Sequence, residues 1–174
     1  AERDTLIVAL QKYPANTLKS LLPVARPNRN LLLDALDWQE CRPFVDFLVE
    51  TSEAIYSNQG FDSTTDIPNS SDPRSGTFDV PRFSQACAKL SKERIKELLK
   101  LFHNASVNMS HTITMVEAFF GWNKEKVLKH AGKRQQYMIK AYGLLPLERE
   151  TEEVLERYLF LKQFAKESKR YGSQ

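Results

Sequence analysis

The sequence predicts an all-α protein: a HEAT-like or irregular antiparallel array of about eight helices, interrupted by one long flexible loop. Apolar residues recur every three to four positions along most of the chain, as they do on one face of a helix. Proline and asparagine separate these segments at short intervals, and the alternating pattern typical of strands is scarce. Short helices joined by tight turns bury their faces on one another in α-solenoids, so HEAT-like pairing is expected.

The composition is ordinary for a globular protein, with 41% apolar and 27% charged residues in a chain of 174. The formal charge of +3 says little about partners, because binding depends on how charge is distributed. No apolar run approaches the roughly 18 residues that a membrane span needs, and no signal-peptide pattern opens the chain. No membrane contact and a cytoplasmic location are therefore expected. Because the chain opens without Met and inside helical periodicity, we expect a segment of a larger protein.

The first third of the chain predicts four helices. Residues 2–13, 16–25 and 28–38 form three short helical segments separated by proline and asparagine. Residues 42–58 form a longer helix, with proline tolerated in its first turn. Apolar side chains cover more than half the circumference of this longer helix, so we expect it to be central and packed on two sides.

A break in composition follows from Ser57 to Asp79, where Ser, Asn, Thr, Asp, Gly and Pro dominate. Such a segment has too few apolar residues to offset the entropy lost on ordering, which predicts a mobile linker. The expected organisation is therefore N-terminal HEAT-like helices in 1–60, a flexible loop in 61–79 and a C-terminal helical part in 80–174. A single continuous domain containing both helical parts is the alternative.

The second half of the chain predicts further helices with clear start signals. Asp79 and Ser91 are suitable N-caps for two successive helices, and residues 111–120 form another. The last helix begins near Thr151, with an acidic first turn and a basic end that complement the helix dipole. Apolar residues from Val154 to Phe164 surround most of this helix, so its own chain or a second copy should cover it on two sides. Self-association is one way to meet that expectation.

The most basic element is predicted between Gly121 and Leu147, as one helix of about five turns. Cations that neutralise phosphates and a ring that stacks on a base are the features that contact with nucleic acid, or another anion, requires. A lysine-rich outer face also keeps any solenoid helix soluble, so both interpretations stay open. The candidate contact residues are Lys126, Lys129, Lys133, Tyr137 and Lys140.

Signals for catalysis are missing from the sequence. No phosphate-binding glycine loop, zinc-protease motif, C-x-x-C or nucleophile elbow occurs. Cys41 and Cys87 are expected to be small buried residues, and the glutamates between 148 and 153 are a helix start signal. The sequence therefore predicts no catalytic, cofactor-binding or metal-binding residue. The histidines also lack a second ligand at a metal-site spacing: His103, His111 and His130.

The end of the chain resembles a known family. Gly143-Leu-Leu-Pro-Leu, followed by the segment from Glu156 to Gln174, is similar to the large bacterial MolR-like proteins, which are relatives of a molybdate metabolism regulator. The resemblance is clearest over roughly the last thirty residues. It implies HEAT-like repeats, a nearby domain of unknown function and an association with a nucleic-acid-linked WGR domain. No catalytic residue is carried over by this motif, which consists of a turn and a packed helix.

These observations predict a non-enzymatic helical scaffold or interaction module within a larger bacterial protein. Its partner would be a protein or a neighbouring domain of the same chain. A nucleic-acid-associated regulatory module that uses the basic helix face is the first alternative. The second alternative is a fragment of an enzyme whose catalytic residues lie elsewhere.

Overall fold

The computed structural model describes residues 2–57, 78–105, 109–133 and 135–171. Every regular element in these ranges is helical, which confirms the predicted all-α class. They contain ten α-helices, compared with about eight expected, and a 3-10 helix at Gln39–Cys41. The α-helices are α1 Glu2–Leu10, α2 Ala15–Leu21, α3 Arg29–Ala35, α4 Arg42–Ser57, α5 Val80–Cys87, α6 Lys92–Ala105, α7 Ser110–Phe119, α8 Lys124–Ala131, α9 Gln136–Leu144 and α10 Glu150–Tyr171. HEAT-like repetition stays a prediction.

The structure divides into two compact units, Ala1–Ile113 and Thr114–Gln174, and the boundary falls within α7. This boundary differs from the one expected around residues 61–79. The reason is that α5 packs against α4, so the helices on both sides of the expected loop belong to unit 1. Most of the expected loop lies outside the described residues.

Unit 1 has an aromatic core where α4 and α5 meet. The ring of Phe83 is fully buried, and its centroid lies 5.2 Å from that of Phe47 and 4.9 Å from that of Phe78. Asp79 caps α5 as the sequence predicts, because its Oδ1 accepts a hydrogen bond from the Arg82 amide at 3.0 Å. The cap fixes where α5 starts and thereby directs Phe83 into the core.

Charged side chains join the other helices of unit 1. Asp34 in α3 accepts hydrogen bonds from Arg3 in α1 and from Arg42 in α4. Lys19 in α2 donates to Glu97 in α6 at 2.6 Å. The pairs Arg3–Asp34 and Lys19–Glu97 connect helices that are distant in sequence, so they help specify how the short helices pack.

Unit 2 contains the rest of α7 together with α8, α9 and α10. Its apolar core comes from one face of each of the first three helices, and α8 packs against α9. The buried residues of this core are Met115, Val116, Ala118, Val127, Ala131, Met138, Ile139, Ala141 and Leu145. Among the helices of the described residues, none combines the length and apolar content that crossing a bilayer demands.

Candidate functional site

The candidate surfaces lie in unit 2. The turn between α7 and α8 positions the first of them. Gly121 has a φ of +73°, a backbone conformation that favours glycine, and α7 ends there. The Trp122 amide donates back to the Glu117 carbonyl at 2.9 Å, and the Trp122 ring stacks on Phe120 at 4.5 Å. Asn123 does not cap α8 with its side chain, because its Nδ2 instead donates to the Thr114 carbonyl at 3.0 Å. The turn therefore holds the start of α8 against α7.

The prediction of one basic helix of about five turns is wrong, because this region forms two helices, α8 and α9. Helix α8 ends at Ala131, with Gly132 as its C-cap, and the Lys133 amide bonds to the His130 carbonyl at 3.0 Å. Gln135 is extended, with φ −71° and ψ 111°, and begins α9. Glycine destabilises a helix interior relative to alanine, whereas packing α8 on α9 buries apolar faces of both. Tertiary packing therefore overrides the apparent continuity of the pattern.

The break divides the five predicted contact residues between two helices. On α8, Lys126 and Lys129 are exposed, and Lys133 is exposed in the turn that follows. At about 100° per residue Lys126 and Lys129 lie about 60° apart on α8, away from buried Val127, and Lys133 follows in the turn beyond the end of the helix. The seven-residue spacing from Lys126 to Lys133 therefore does not continue into α9.

Helix α9 carries the other two predicted residues, Tyr137 and Lys140. Tyr137 is half-buried, so its ring is less available for stacking than the sequence suggested. Lys140 is exposed overall. Partial desolvation of its ammonium group nevertheless lowers the pKa of that group below the usual lysine range. Both residues make contacts within the fold. The three cations of the α8 side are therefore the more accessible part of the predicted site.

Helix α10 is fastened to unit 2 along one side by Arg157. Its guanidinium donates to the Leu145 carbonyl and, at 2.9 Å, to the Pro146 carbonyl. The same group lies 5.5 Å from the centroid of the Tyr142 ring, and that ring meets Phe160 edge-on at 5.1 Å. These contacts fix which face of α10 turns inward.

The connector before α10 is held by a second polar contact. Lys124 Nζ at the start of α8 donates to Glu148 Oε1 at 2.6 Å, and this hydrogen bond lowers the pKa of the Glu148 carboxyl. The Glu148 amide in turn donates to Glu153 Oε2 at 2.9 Å. The acidic residues near the start of α10 thus have structural partners, in agreement with their interpretation as a helix start signal.

The opposite side of α10 is apolar and open to solvent. Five large side chains there are between 37% and 58% exposed. A core-packed helix usually presents polar residues on its outer side, so this arrangement needs an explanation. At roughly half exposure each, the five side chains present apolar area on the order of 400 Å². We call these residues the outer face: Val154, Leu155, Tyr158, Leu159 and Leu161.

Charged residues also lie on and near the exposed side of α10. At about 100° per residue, exposed Lys162 and Lys166 fall within the arc of the outer face, whereas exposed Glu152 and Glu156 fall beyond Leu159 on one flank. Lys162 also approaches the ring of Tyr158, with its Nζ 5.4 Å from the ring centroid. The acidic side chains therefore lie towards the start of α10 and the basic ones towards its end.

The cysteines and His130, which could in principle take part in catalysis, have structural surroundings. Burial raises the pKa of the Cys41 thiol to about 11 and that of the Cys87 thiol to about 12, which suppresses the nucleophilic thiolate. His130 Nδ1 lies 2.8 Å from the Lys126 carbonyl, within its own helix. Across the described ranges, no three side chains of the metal-binding types come together.

These features define the class of protein. It is an all-α protein with two compact helical units, and its last described helix presents large apolar side chains to solvent. The chain belongs to DUF5724, a family of unknown function that matches it over residues 65–174. The matched segment includes α5 through α10, and hence both candidate surfaces. No curated protein and no solved structure matches the chain.

Sequence reasoning placed no site residue on the outer face of α10. The signal was nevertheless visible, because apolar residues surround most of that helix in the sequence. What the sequence could not show is which side of α10 its own unit covers. In the structure, one side of α10 packs on unit 2 through Arg157 and Phe160, and the other side is exposed.

Proposed function

We propose that the chain is a non-enzymatic helical interaction module whose outer face on α10 binds a protein surface. The observation that carries the proposal is the exposure of five large apolar side chains on a helix whose other side is already packed. Apolar area of this size on a solvent-facing helix is typical of protein–protein contacts. The lysines among these apolar side chains and the glutamates on one flank supply polar groups of the kind that accompany such contacts.

A second part of the proposal concerns context. The resemblance of the C-terminal residues to the MolR-like proteins favours a cytoplasmic module within a larger bacterial protein. In that setting the outer face would contact either another domain of the same protein or a separate protein. Membership of DUF5724 is compatible with either partner, since that family has no assigned function.

Position-specific photo-cross-linking tests the proposal. A photoreactive phenylalanine replaces Leu155 on the outer face or, as a matched control, Leu128, which is 48% exposed on α8. The variants are irradiated in the cells that naturally produce the protein, and adducts are mapped by mass spectrometry. We expect protein adducts from position 155 at a yield well above that from position 128. Equal yields at the two positions would contradict an interaction surface on α10.

Nucleic-acid binding is the second candidate function, favoured by the cations on the α8 side. Residues 124–144 contain five lysines and one arginine but a single acidic residue, Glu125. Lys126, Lys129 and Lys133 are exposed, so their charge is accessible to phosphates. This would be an electrostatic, sequence-independent contact.

Salt titration separates this candidate from the first. If the α8 cations bind phosphates, affinity for mixed DNA or RNA should fall steeply between about 50 and 200 mM salt. The double variant Lys126→Glu/Lys129→Glu should weaken binding further, whereas reversal of Lys89 in unit 1 should have a much smaller effect. No measurable binding at low salt would exclude this candidate and leave the outer-face proposal unchanged.

A further inference from the structure

We propose that a row of lysines on one flank of α6 binds the phosphate backbone of a nucleic acid duplex. The row lies in unit 1 and shares no residue with the α8 cations or with the outer face. It is therefore a separate surface, and the inference does not depend on either of them. We call these residues the α6 stripe: Lys92, Lys96 and Lys100.

Helix geometry places the α6 stripe along one line of the helix. At about 100° per residue the three lysines fall within about 80° of arc, and all three are exposed. Steps of four residues carry the stripe about 12 Å along the helix, from Lys92 to Lys100. The buried side chains of α6 occupy a different arc: Ile95, Leu98, Leu99 and Phe102. The stripe is therefore a continuous cationic surface beside a packed core face.

The α6 stripe keeps a net positive charge within its own helix. Glu93 lies beside it and offsets part of the charge, since its carboxylate interacts electrostatically with Lys96 and Lys92. The other carboxylate of α6, Glu97, is bonded to Lys19 at 2.6 Å and to a neighbouring arginine at 3.2 Å. Like charges four residues apart destabilise a helix, so the row of lysines costs α6 stability. A polyanion bound along the row would offset that repulsion.

The chemistry of the α6 stripe favours phosphates over a protein as its partner. In α6, all of whose residues the structure describes, no large apolar side chain is exposed. Protein interfaces usually have an apolar or aromatic centre and are depleted in lysine, so this surface lacks what a protein partner needs. Lysine binds phosphate as a point charge. A surface that offers charge alone fits the partner with the densest charge, and a duplex carries one negative charge per about 1.7 Å of its axis.

Fluorescence anisotropy tests the inference with a labelled, mixed-sequence DNA duplex of about 20 base pairs, titrated with the full chain between about 20 and 200 mM salt. Each lysine that contacts a phosphate adds about 0.9 to the steepness of log affinity against log salt. Lys100→Gln should therefore lower the slope by about one and weaken binding about tenfold at about 50 mM salt. The double variant Lys96→Gln/Lys100→Gln should lower the slope by about two and weaken binding about a hundredfold.

Two control variants separate phosphate contact from general charge. Lys96→Arg/Lys100→Arg keeps both charges and should keep most of the slope and of the affinity. Lys12→Gln/Lys162→Gln removes two exposed lysines outside the stripe and changes the net charge equally, yet should have a much smaller effect. Because all these positions are exposed, every variant should have the circular dichroism spectrum of the unaltered chain.

Three outcomes would overturn the inference. They are no measurable duplex binding at about 20 mM salt, an unchanged slope for Lys96→Gln/Lys100→Gln, and tighter binding of poly-glutamate than of the duplex. The last would indicate an acidic protein as the partner.

The α8 cations are tested separately in the same assay by Lys126→Glu/Lys129→Glu. If that variant weakens duplex binding and the double glutamine variant of the α6 stripe does not, the α8 candidate stands and this inference fails. The reverse result supports the α6 stripe and removes the α8 candidate. A loss of affinity in both variants supports both surfaces.

Discussion

Replacing Arg157 with alanine should loosen α10 from unit 2 without disturbing the outer face. Arg157 donates to the carbonyls of Leu145 and Pro146 and lies over the ring of Tyr142. Its side chain is only 14% exposed, and its bond to the Leu145 carbonyl is partly buried, whereas its bond to the Pro146 carbonyl is exposed.

The magnitude follows from adding these contacts. The bond to the Leu145 carbonyl contributes about 1.5 kcal/mol, because the donor is charged and the contact is partly buried. The exposed bond to the Pro146 carbonyl adds about 0.5 kcal/mol. The cation–π contact with Tyr142 adds about 0.5 kcal/mol more. We therefore expect the local opening free energy of α10 to fall by about 2 to 3 kcal/mol.

Hydrogen exchange of peptides from α10, followed by mass spectrometry, measures this change directly. A loss of that size should accelerate exchange about 30- to 150-fold. The control is Arg149→Ala, whose side chain is 71% exposed and pairs with Glu152 at 3.0 Å. Such a pair contributes about 0.3 kcal/mol, so the control should change exchange less than about twofold. Equal exchange in the two variants would refute the assignment of Arg157 as the anchor of α10.

Three further predictions concern the core, a turn and the thiols. Phe83→Ala should lower the free energy of unfolding by about 3 to 5 kcal/mol in urea denaturation, since it empties a fully buried aromatic position. Gly121→Ala should cost about 1 to 2 kcal/mol in the same assay, because a Cβ is strained at a φ of +73°, whereas Gly121→Asn should cost less. At pH 8 the raised pKa values, about 11 for Cys41 and about 12 for Cys87, should slow labelling by a disulfide reagent at least about a hundredfold relative to the unfolded chain. Rapid labelling of either native thiol would contradict the assignment of Cys41 as a buried and Cys87 as a partly buried structural residue.

The all-α class and several element boundaries could be predicted from local sequence. The cap at Asp79 is an example, because the signal lies in one short side chain and the amide three residues later. The long fourth helix, Arg42–Ser57, is another, since its apolar residues continue for several turns without a breaker. Where short-range chemistry decides the structure, the sequence is sufficient.

The prediction of one continuous basic helix between Gly121 and Leu147 failed because packing between helices determines where α8 ends. Gly132 is a weak stop signal on its own, and a regular lysine spacing continued across it. Burying Val127 and Ala131 against α9 stabilises the turn, and no local pattern reports that gain. The apolar coverage of α10 was visible in the sequence, but which side its own unit covers depends on where Arg157 finds its carbonyl partners.

The most direct test of an open outer face is the stability of the double variant Leu155→Lys/Leu159→Lys, measured by urea denaturation at a protein concentration low enough to keep the chain monomeric. The two side chains are 58% and 53% exposed, so we expect the free energy of unfolding to change by no more than about 1 kcal/mol. Ile139→Lys, at a core position that is 6% exposed, provides the comparison and should cost several times more. If the double variant were as destabilised as Ile139→Lys, the outer face would be part of the chain's own core and could not be a surface for a partner.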